Sequence, residues 1–332
     1  MSLLEVNNLS TSFFTENGEI KAVRNVSFNL ERGRVLGIVG ESGSGKSVTV
    51  YSILGLLPKN ARVVSGSVNF SGEELIGASE STMEKIRGNR ISIIFQDPMT
   101  SLNPTYTVGK QLTEAILLHT VKDKREARRR AIDILKTVNI ADAERRMKQY
   151  PFELSGGMRQ RVMIAMALAT EPDILIADEP TTALDVTIQA SILDLLSSLQ
   201  KKMGMSIIMI THDLGVIAKT SDEVIVMYAG EIAERGSVTD IFYNPRHEYT
   251  KGLLRSVPQP NSTGGKLFAI RGNVIDLTNI PNGCPFADRC DEAMNVCKIK
   301  NADELNLGNS HTVRCWMNQK ELFLKNGDGQ NE

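Results

Sequence analysis

Residues 40 to 47 read Gly40-Glu41-Ser42-Gly43-Ser44-Gly45-Lys46-Ser47, which sets glycines, a lysine and a hydroxyl at the spacing G-x-x-x-x-G-K-[ST]. Glycines so placed let backbone N–H groups turn inward around an anion, the lysine brings a cation to β- and γ-phosphate oxygens, and the last hydroxyl is a Mg²⁺ ligand. Further on, ILIADE at 174–179 ends an apolar run in two carboxylates. Asp178 is placed there to hold Mg²⁺ through water, and Glu179 to orient or deprotonate an attacking water. Two acids after a strand can also cap a turn, but their company with the loop points to cleavage of a nucleotide phosphate.

These groups need rigid elements behind them. RVLGIV, 34–39, is a buried-strand candidate running straight into the loop, and Ser47 to Leu57 reads as a helix stopped by Pro58. Residues 91–95, 174–177 and 206–210 are further strands. Between the last two, Ile188, Ile192, Leu195, Leu196 and Leu199 share one helical face, with Lys201 and Lys202 in the last turn and Gly204 as the stop. Strands alternating with helices predict an α/β fold with a parallel sheet, a P-loop ATPase core. The stretch from about 97 to 170, rich in Met, Arg and Ala with helical periodicity, is expected to be an inserted helical subdomain. Within it KDKREARRR supplies Lys122, Lys124, Arg125, Arg128, Arg129 and Arg130, read as a solvated helix face, with anionic head groups as the other reading. A Pro/Gly/Ser/Asn cluster at 258–265 marks a linker between a nucleotide-binding domain, 1–257, and a C-terminal segment, 266–332.

Composition sets limits. The 332 residues carry 38 Lys and Arg against 39 Asp and Glu, a net charge of −1, so no global field recruits nucleic acid. MSLLEVNNLSTSFF lacks the charged start of a secretory signal, and no apolar run approaches the ~18 residues of a membrane helix. A cytosolic chain is expected, in which clustered cysteines bind metal or do redox chemistry more often than they form disulfides. The cysteines here are clustered: after 283 residues without a thiol, Cys284, Cys290 and Cys297 arrive within fourteen residues and Cys315 follows eighteen later.

LSGGMRQR at 154–161 lies between the loop and ILIADEP, and ALD follows at 183–185. In that order the motifs resemble the ATP-binding cassette superfamily. The resemblance implies a β-rich N-terminal part, and ATP and Mg²⁺ as cofactors. It implies that Ser155, Gly156 and Gly157 open a helix whose N–H groups face the γ-phosphate of ATP held by a second subunit. Ser155 is equally an ordinary N-cap, and both readings hold together. By the same resemblance Gln96 in FQDP contacts Mg²⁺ and faces the membrane partner, His212 in ITHD stands near the γ-phosphate, and Phe13, or else Phe14, stacks on adenine. Val48 and Asp185 join the nucleotide-contacting set.

Longer stretches, GESGSGKSVTV, IFQDPMTSLNPTYTVGKQL, YPFELSGGMRQRVMIAMALA, IADEPTTALDVTIQA and PRHEYTKGLL, are similar to the D-type ATP-binding subunits of bacterial dipeptide and oligopeptide permeases. This implies a peripheral ATPase on the cytoplasmic face of the membrane. Its expected partners are an F-type ATP-binding subunit, two transmembrane permease subunits and an extracytoplasmic peptide-binding protein, with no nucleic acid. Importers of other solutes, such as nickel, use similar subunits. A soluble cassette ATPase acting on ribosomes or DNA is a rival of another class, but it is marked by paired cassettes or long coiled-coil insertions, and this sequence shows neither.

NGCPFADRC is similar to the C-terminal segment of that family, which implies Cys284, Cys290, Cys297 and Cys315 as ligands of a [4Fe–4S] cluster, a structural staple for a segment with little core. Structural zinc is the alternative, although zinc ribbons use C-x₂-C pairs and the gaps here are five, six and seventeen residues. Free or paired thiols are the third reading. Asp291 stands where the family usually has proline. On an unbroken helix the step from Cys290 to Cys297 would rise ~10 Å, so a short or bent helix is expected there.

Overall fold

A computed structural model of the chain describes residues 2–96, 101–182, 185–257 and 268–319. The expected linker at 258–265, the first residues of the expected helical insertion, and Ala183 and Leu184 of the ALD stretch lie outside the described residues. The strands in chain order are β1 (Ser2–Thr15), β2 (Gly18–Glu31), β3 (Val35–Val39), β4 (Ala61–Phe70), β5 (Glu73–Glu74), β6 (Ile91–Ile94), β7 (Ile174–Asp178), β8 (Ser206–Ile210), β9 (Glu223–Tyr228), β10 (Glu231–Ser237), β11 (Leu305–Gly308) and β12 (His311–Val313). The chain divides into two compact units, one built chiefly from Gly77–Ile210, the other from Leu4–Asn29, Leu36–Ile76 and the residues from Thr211 onward.

In the first unit β6, β7 and β8 run parallel, with Ile91 opposite Ile174 and Ile174 opposite Ser206. Every residue of β7 and β8 is buried, as continuous apolar runs such as ILIA and SIIMI require of strands covered on both faces. Between β6 and β7 the described residues form helices Val108–His119, Lys124–Thr137, Ala143–Arg146 and Gly156–Leu168. The Asp123 carboxylate caps the second of these by accepting from the Arg125 and Glu126 N–H groups. On the same helix Glu126 pairs with Arg129 and Arg130, so part of the basic run is spent on its own surface. Helix Val186–Met203 stops where the sequence reading put the stop, at Gly204 in the left-handed conformation with φ 66°.

In the second unit β1 pairs antiparallel with β4 and β4 with β5. Separately, β3 runs parallel to β9, and β9 turns back into β10 through Ala229 and Gly230, both at positive φ (49° and 82°), the geometry of a type I′ hairpin. Beyond it β12 pairs with β10 and β11 with β12, so residues 305–313 extend the same sheet that carries β3. Tyr228, His247, Tyr249 and Phe286 pack as buried rings, with Tyr228 and Phe286 centroids 5.3 Å apart. These rings join the end of β9, helix Glu248–Ser256 and the cysteine segment into one core. No helix among the described residues is long and apolar enough to cross a membrane.

Candidate active site

The phosphate loop lies in the second unit and follows β3, whose five residues are all buried. Gly40 and Gly45 take φ of 154° and 99°. A Cβ on Gly45 would stand 2.5 Å from the Ala22 carbonyl oxygen, so position 45 accepts no side chain. The helix begins at Lys46 and is closed by Gly55, earlier than the Leu57 expected. Lys46 is 6% exposed, and its Nζ donates to the carbonyls of Gly40 (2.8 Å) and Glu41 (2.9 Å). The Ser44 carbonyl accepts from the Gly230 N–H at 3.0 Å, bracing the loop on the β9–β10 hairpin. Ser44 is buried, Ser47 and Val48 half-buried, and Ser42 and Gly43 exposed. On β1, Thr11 bonds Ser52 of the loop helix at 2.8 Å. Phe13, two residues on, shares the face of Thr11 and is half-buried, whereas Phe14 is exposed beneath the Arg62 guanidinium, 4.5 Å from its ring. His212 is exposed in the turn before helix Leu214–Thr220.

In the first unit β7 delivers Asp178, 2% exposed, and Glu179 immediately after it. Glu179 has φ 48°, an uncommon conformation for a residue with a side chain. Its N–H donates to the Ile210 carbonyl at 2.9 Å, and its carboxylate accepts from Gln96 Nε2 (3.0 Å) and Thr182 Oγ1 (2.8 Å). The backbone and two donors thus fix where the carboxylate points. Ser155 caps helix Gly156–Leu168, its Oγ accepting from the Met158 N–H. A Cβ on Gly157 would stand 3.0 Å from Ile188 Cγ2, so this buried glycine fits closely against helix Val186–Met203. Asp185 caps that helix by accepting from the Ile188 N–H.

Sequence reading missed three residues of these sites. Gln160, 1% exposed, donates to the Pro180 carbonyl at 2.6 Å and ties the LSGG helix to the turn that holds Glu179. Thr182 is the second donor to Glu179. The Tyr249 hydroxyl accepts from the Glu41 N–H at 2.8 Å. Only Gln160 carried a signal, an amide on an otherwise apolar helix face.

The oxygens of Ser47, Gln96 and Asp178 are the hard donors that Mg²⁺ takes, so the residues fit that ion chemically. The four-thiolate site expected from the sequence is not shown among the described residues. No group of three or more His, Cys, Asp or Glu among the described residues is placed to hold a metal ion. The thiols are near enough to feel one another's charge. Burial pushes Cys284 up to about 12 and Cys290 up to about 11, with smaller contributions from neighbouring cysteines, and Cys315 rises for the same reason. Such groups stay protonated, and thiolates close together only around a cation that offsets their repulsion. Helix Asn295–Ile299, which carries Cys297, is five residues long, the short helix that the spacing required.

Residues 23–182 match the family model described as ABC transporter, and residues 233–297 that described as Oligopeptide/dipeptide transporter, C-terminal region. The chain is 53% identical over 331 residues, 99% of each protein, to the dipeptide transport ATP-binding protein DppD of Bacillus subtilis. It is 52% identical to the oligopeptide transport ATP-binding protein OppD of Salmonella typhimurium, over 89% of this chain and 88% of that one. Among solved structures it resembles the ATP-binding cassette MJ0796, seen as a dimer in a post-hydrolysis state bound to ADP and Pi. That match has a TM-score of 0.63 and 29% identity, over 71% of this chain and 98% of the other. With relatives this similar along nearly its whole length, this chain belongs to the ATP-binding subunits of dipeptide and oligopeptide ABC transporters.

Proposed function

We propose that this chain hydrolyses Mg-ATP to power import of dipeptides or oligopeptides, as the D-type member of a cassette pair. The observation that carries the reading is Glu179, whose carboxylate is aimed by Gln96 and Thr182 from a left-handed backbone. A carboxylate so held orients the attacking water and takes its proton. Mg²⁺ supplies charge stabilisation at the phosphate oxygens, with Ser47, Gln96 and Asp178 as the residues that would hold it. Lys46 and the N–H groups of Gly40–Ser47 bind the phosphates of this chain's ATP, Val48 and Asp185 complete the contacts, and His212 stands by the γ-phosphate. Phe13 takes the adenine, on the strand face of Thr11, which is bonded to the loop helix. Ser155, Gly156 and Gly157 serve the ATP of the partner cassette. An F-type subunit, two permease subunits and a peptide-binding protein complete the assembly, and the chain is peripheral at the cytoplasmic face.

For the C-terminal segment we retain the [4Fe–4S] cluster as a proposal. What supports it is the donor chemistry of four cysteines in one C-terminal segment. The function is tested on the complex reconstituted in vesicles with a dipeptide and a longer peptide. Uptake should require ATP and be lost with Lys46→Ala. Undiminished uptake by that variant, or ATPase stimulation by nickel and not by peptides, would overturn it.

A further inference from the structure

Residue 41 of the phosphate loop is gripped from the cysteine segment. Arg289 reaches the Glu41 carboxylate with both terminal nitrogens, Nη1 to Oε2 at 2.6 Å and Nη2 to Oε1 at 2.9 Å, across 248 positions of sequence. This is the two-pronged pairing in which a guanidinium is strongest and most directional. The guanidinium is itself fixed in place. Its Nε donates to the Arg271 carbonyl at 2.9 Å, and it lies 5.7 Å from the ring centre of Tyr228 and 5.8 Å from that of Phe286. The Arg289 side chain is 6% exposed and that of Glu41 26%, so the pair is largely withdrawn from water. The backbone of Glu41 is committed as well, its N–H to the Tyr249 hydroxyl and its carbonyl to Lys46 Nζ.

An acid at this point of a polyphosphate-binding loop is a liability, because its charge opposes that of the ligand. We infer that Arg289 is a positioning residue for the ATP site: it neutralises Glu41 and fixes the first turn of the phosphate loop, so that the C-terminal segment sets this chain's nucleotide affinity. The inference rests on the reading of Gly40–Ser47 as the ATP site. It also assigns the segment after the linker a task that needs no metal chemistry, because the grip comes from Arg289 and the buried rings around it.

A double-mutant cycle on the full chain tests it, with a fluorescent ATP analogue titrated at equilibrium and KM and kcat for ATP measured in the assembled complex. Arg289→Gln should weaken nucleotide binding about tenfold, since it leaves an unpaired, half-buried carboxylate beside the phosphates. KM should rise with kcat within about twofold, because Glu179 is untouched. In a Glu41→Gln background the same substitution should cost less than about twofold, because the charge it compensates is gone. A merely structural arginine would give equal losses in both backgrounds, and that result overturns the inference. So does unchanged affinity in Arg289→Gln while Lys46→Ala binds weakly. If Lys46→Ala also binds normally, the loop itself has been misread. Should Arg289→Gln fail to fold, Arg289→Lys carries the test: it keeps the charge but not the fork, and should lose about threefold.

Discussion

Gln96 Nε2 donates to Glu179 Oε2 at 3.0 Å, so the residue that the family resemblance places against the membrane partner directly restrains the carboxylate expected to activate water. A change at Gln96 therefore changes the aim of Glu179. Glu179→Gln should leave ATP binding intact and lower hydrolysis at this chain's site by ~100-fold or more, as expected when a water-activating carboxylate is removed. Gln96→Ala should lower kcat less, ~10-fold, with the acid present but unaimed. Single-turnover hydrolysis in the assembled complex checks both, and normal turnover in Glu179→Gln would remove Glu179 from the role.

Gly157→Asp should disable the partner's site and spare this chain's own. The added carboxylate stands at the N-terminus of helix Gly156–Leu168, where it would repel a phosphate held opposite. It must also push against Ile188, 3.0 Å from the new Cβ, so a stability loss of about 1–3 kcal/mol should accompany it. Gly157→Ala separates the two effects: it should share the lower melting temperature and keep most of the complex's ATPase. Nucleotide affinity of the isolated Gly157→Asp chain should match the parent, and a fall as large as that of Lys46→Ala would contradict the assignment.

His247 predicts an acid-sensitive fold. Burial lowers its imidazole to about 4 from the usual 6.5, outweighing the upward pull of Glu234 and Glu248. Its Nδ1 accepts from the Tyr249 N–H at 3.0 Å, which only the neutral ring can do. The unfolded chain takes up this proton near pH 6.5 and the folded chain only near 4. The contribution is therefore complete above 6.5 and is lost as pH falls toward 4, about 3 kcal/mol in all. His247→Asn keeps an N-capping acceptor and removes the titration. Denaturant midpoints at pH 7 and pH 5 should show the parent losing about 2 kcal/mol more than the variant. Equal losses would mean that His247 takes up its proton at the same pH folded and unfolded, and that burial does not hold it neutral.

Trp316 should report on the cysteines. It is the only tryptophan, directly follows Cys315, and donates from Nε1 to the Lys300 carbonyl at 2.8 Å. An iron–sulfur cluster absorbs broadly where indole emits and zinc does not, so protein purified without air should be brown and weakly fluorescent, and should brighten on oxidation or chelation. Colourless protein with one zinc per chain would end the cluster reading. Colourless protein without metal would leave four free thiols, Cys297 buried and the other three half-buried, as the native state.

Lys46, Asp178 and Ser155 were legible in the sequence because local backbone alone places them: a strand ends, a loop turns and a helix begins within a few residues. The stop at Gly204 was legible for the same reason. Thr182 and Arg289 were not, because each acts on a partner that tertiary packing brings to it, and for Gln160 the helix face marked a buried amide but not its acceptor. Arg289 stands between Cys284 and Cys290, and nothing local marks Glu41, 248 positions away, as its partner. The expected four-thiolate site is a different case: residue type and spacing suggest ligands, but no three of the thiols stand together as a metal site among the described residues, and thiolates close together only around a cation that offsets their repulsion.

Pairing of β12 with β10 through Glu234–Val313 and Arg235–Thr312 covers the backbone N–H and C=O groups on that side of β10. Among the described residues the outermost strand, β11, is four residues long, mostly exposed, and turns back into β12 through Gly308, Asn309 and Ser310, all at positive φ. A short, polar, quickly ended border offers little for another copy to pair with. A chain cut before Leu305 would instead present β10, whose Ile232 and Ala233 are buried in the intact protein, as an open template. Truncation there should be visible first as aggregation during expression, before any change in ATP hydrolysis can be measured.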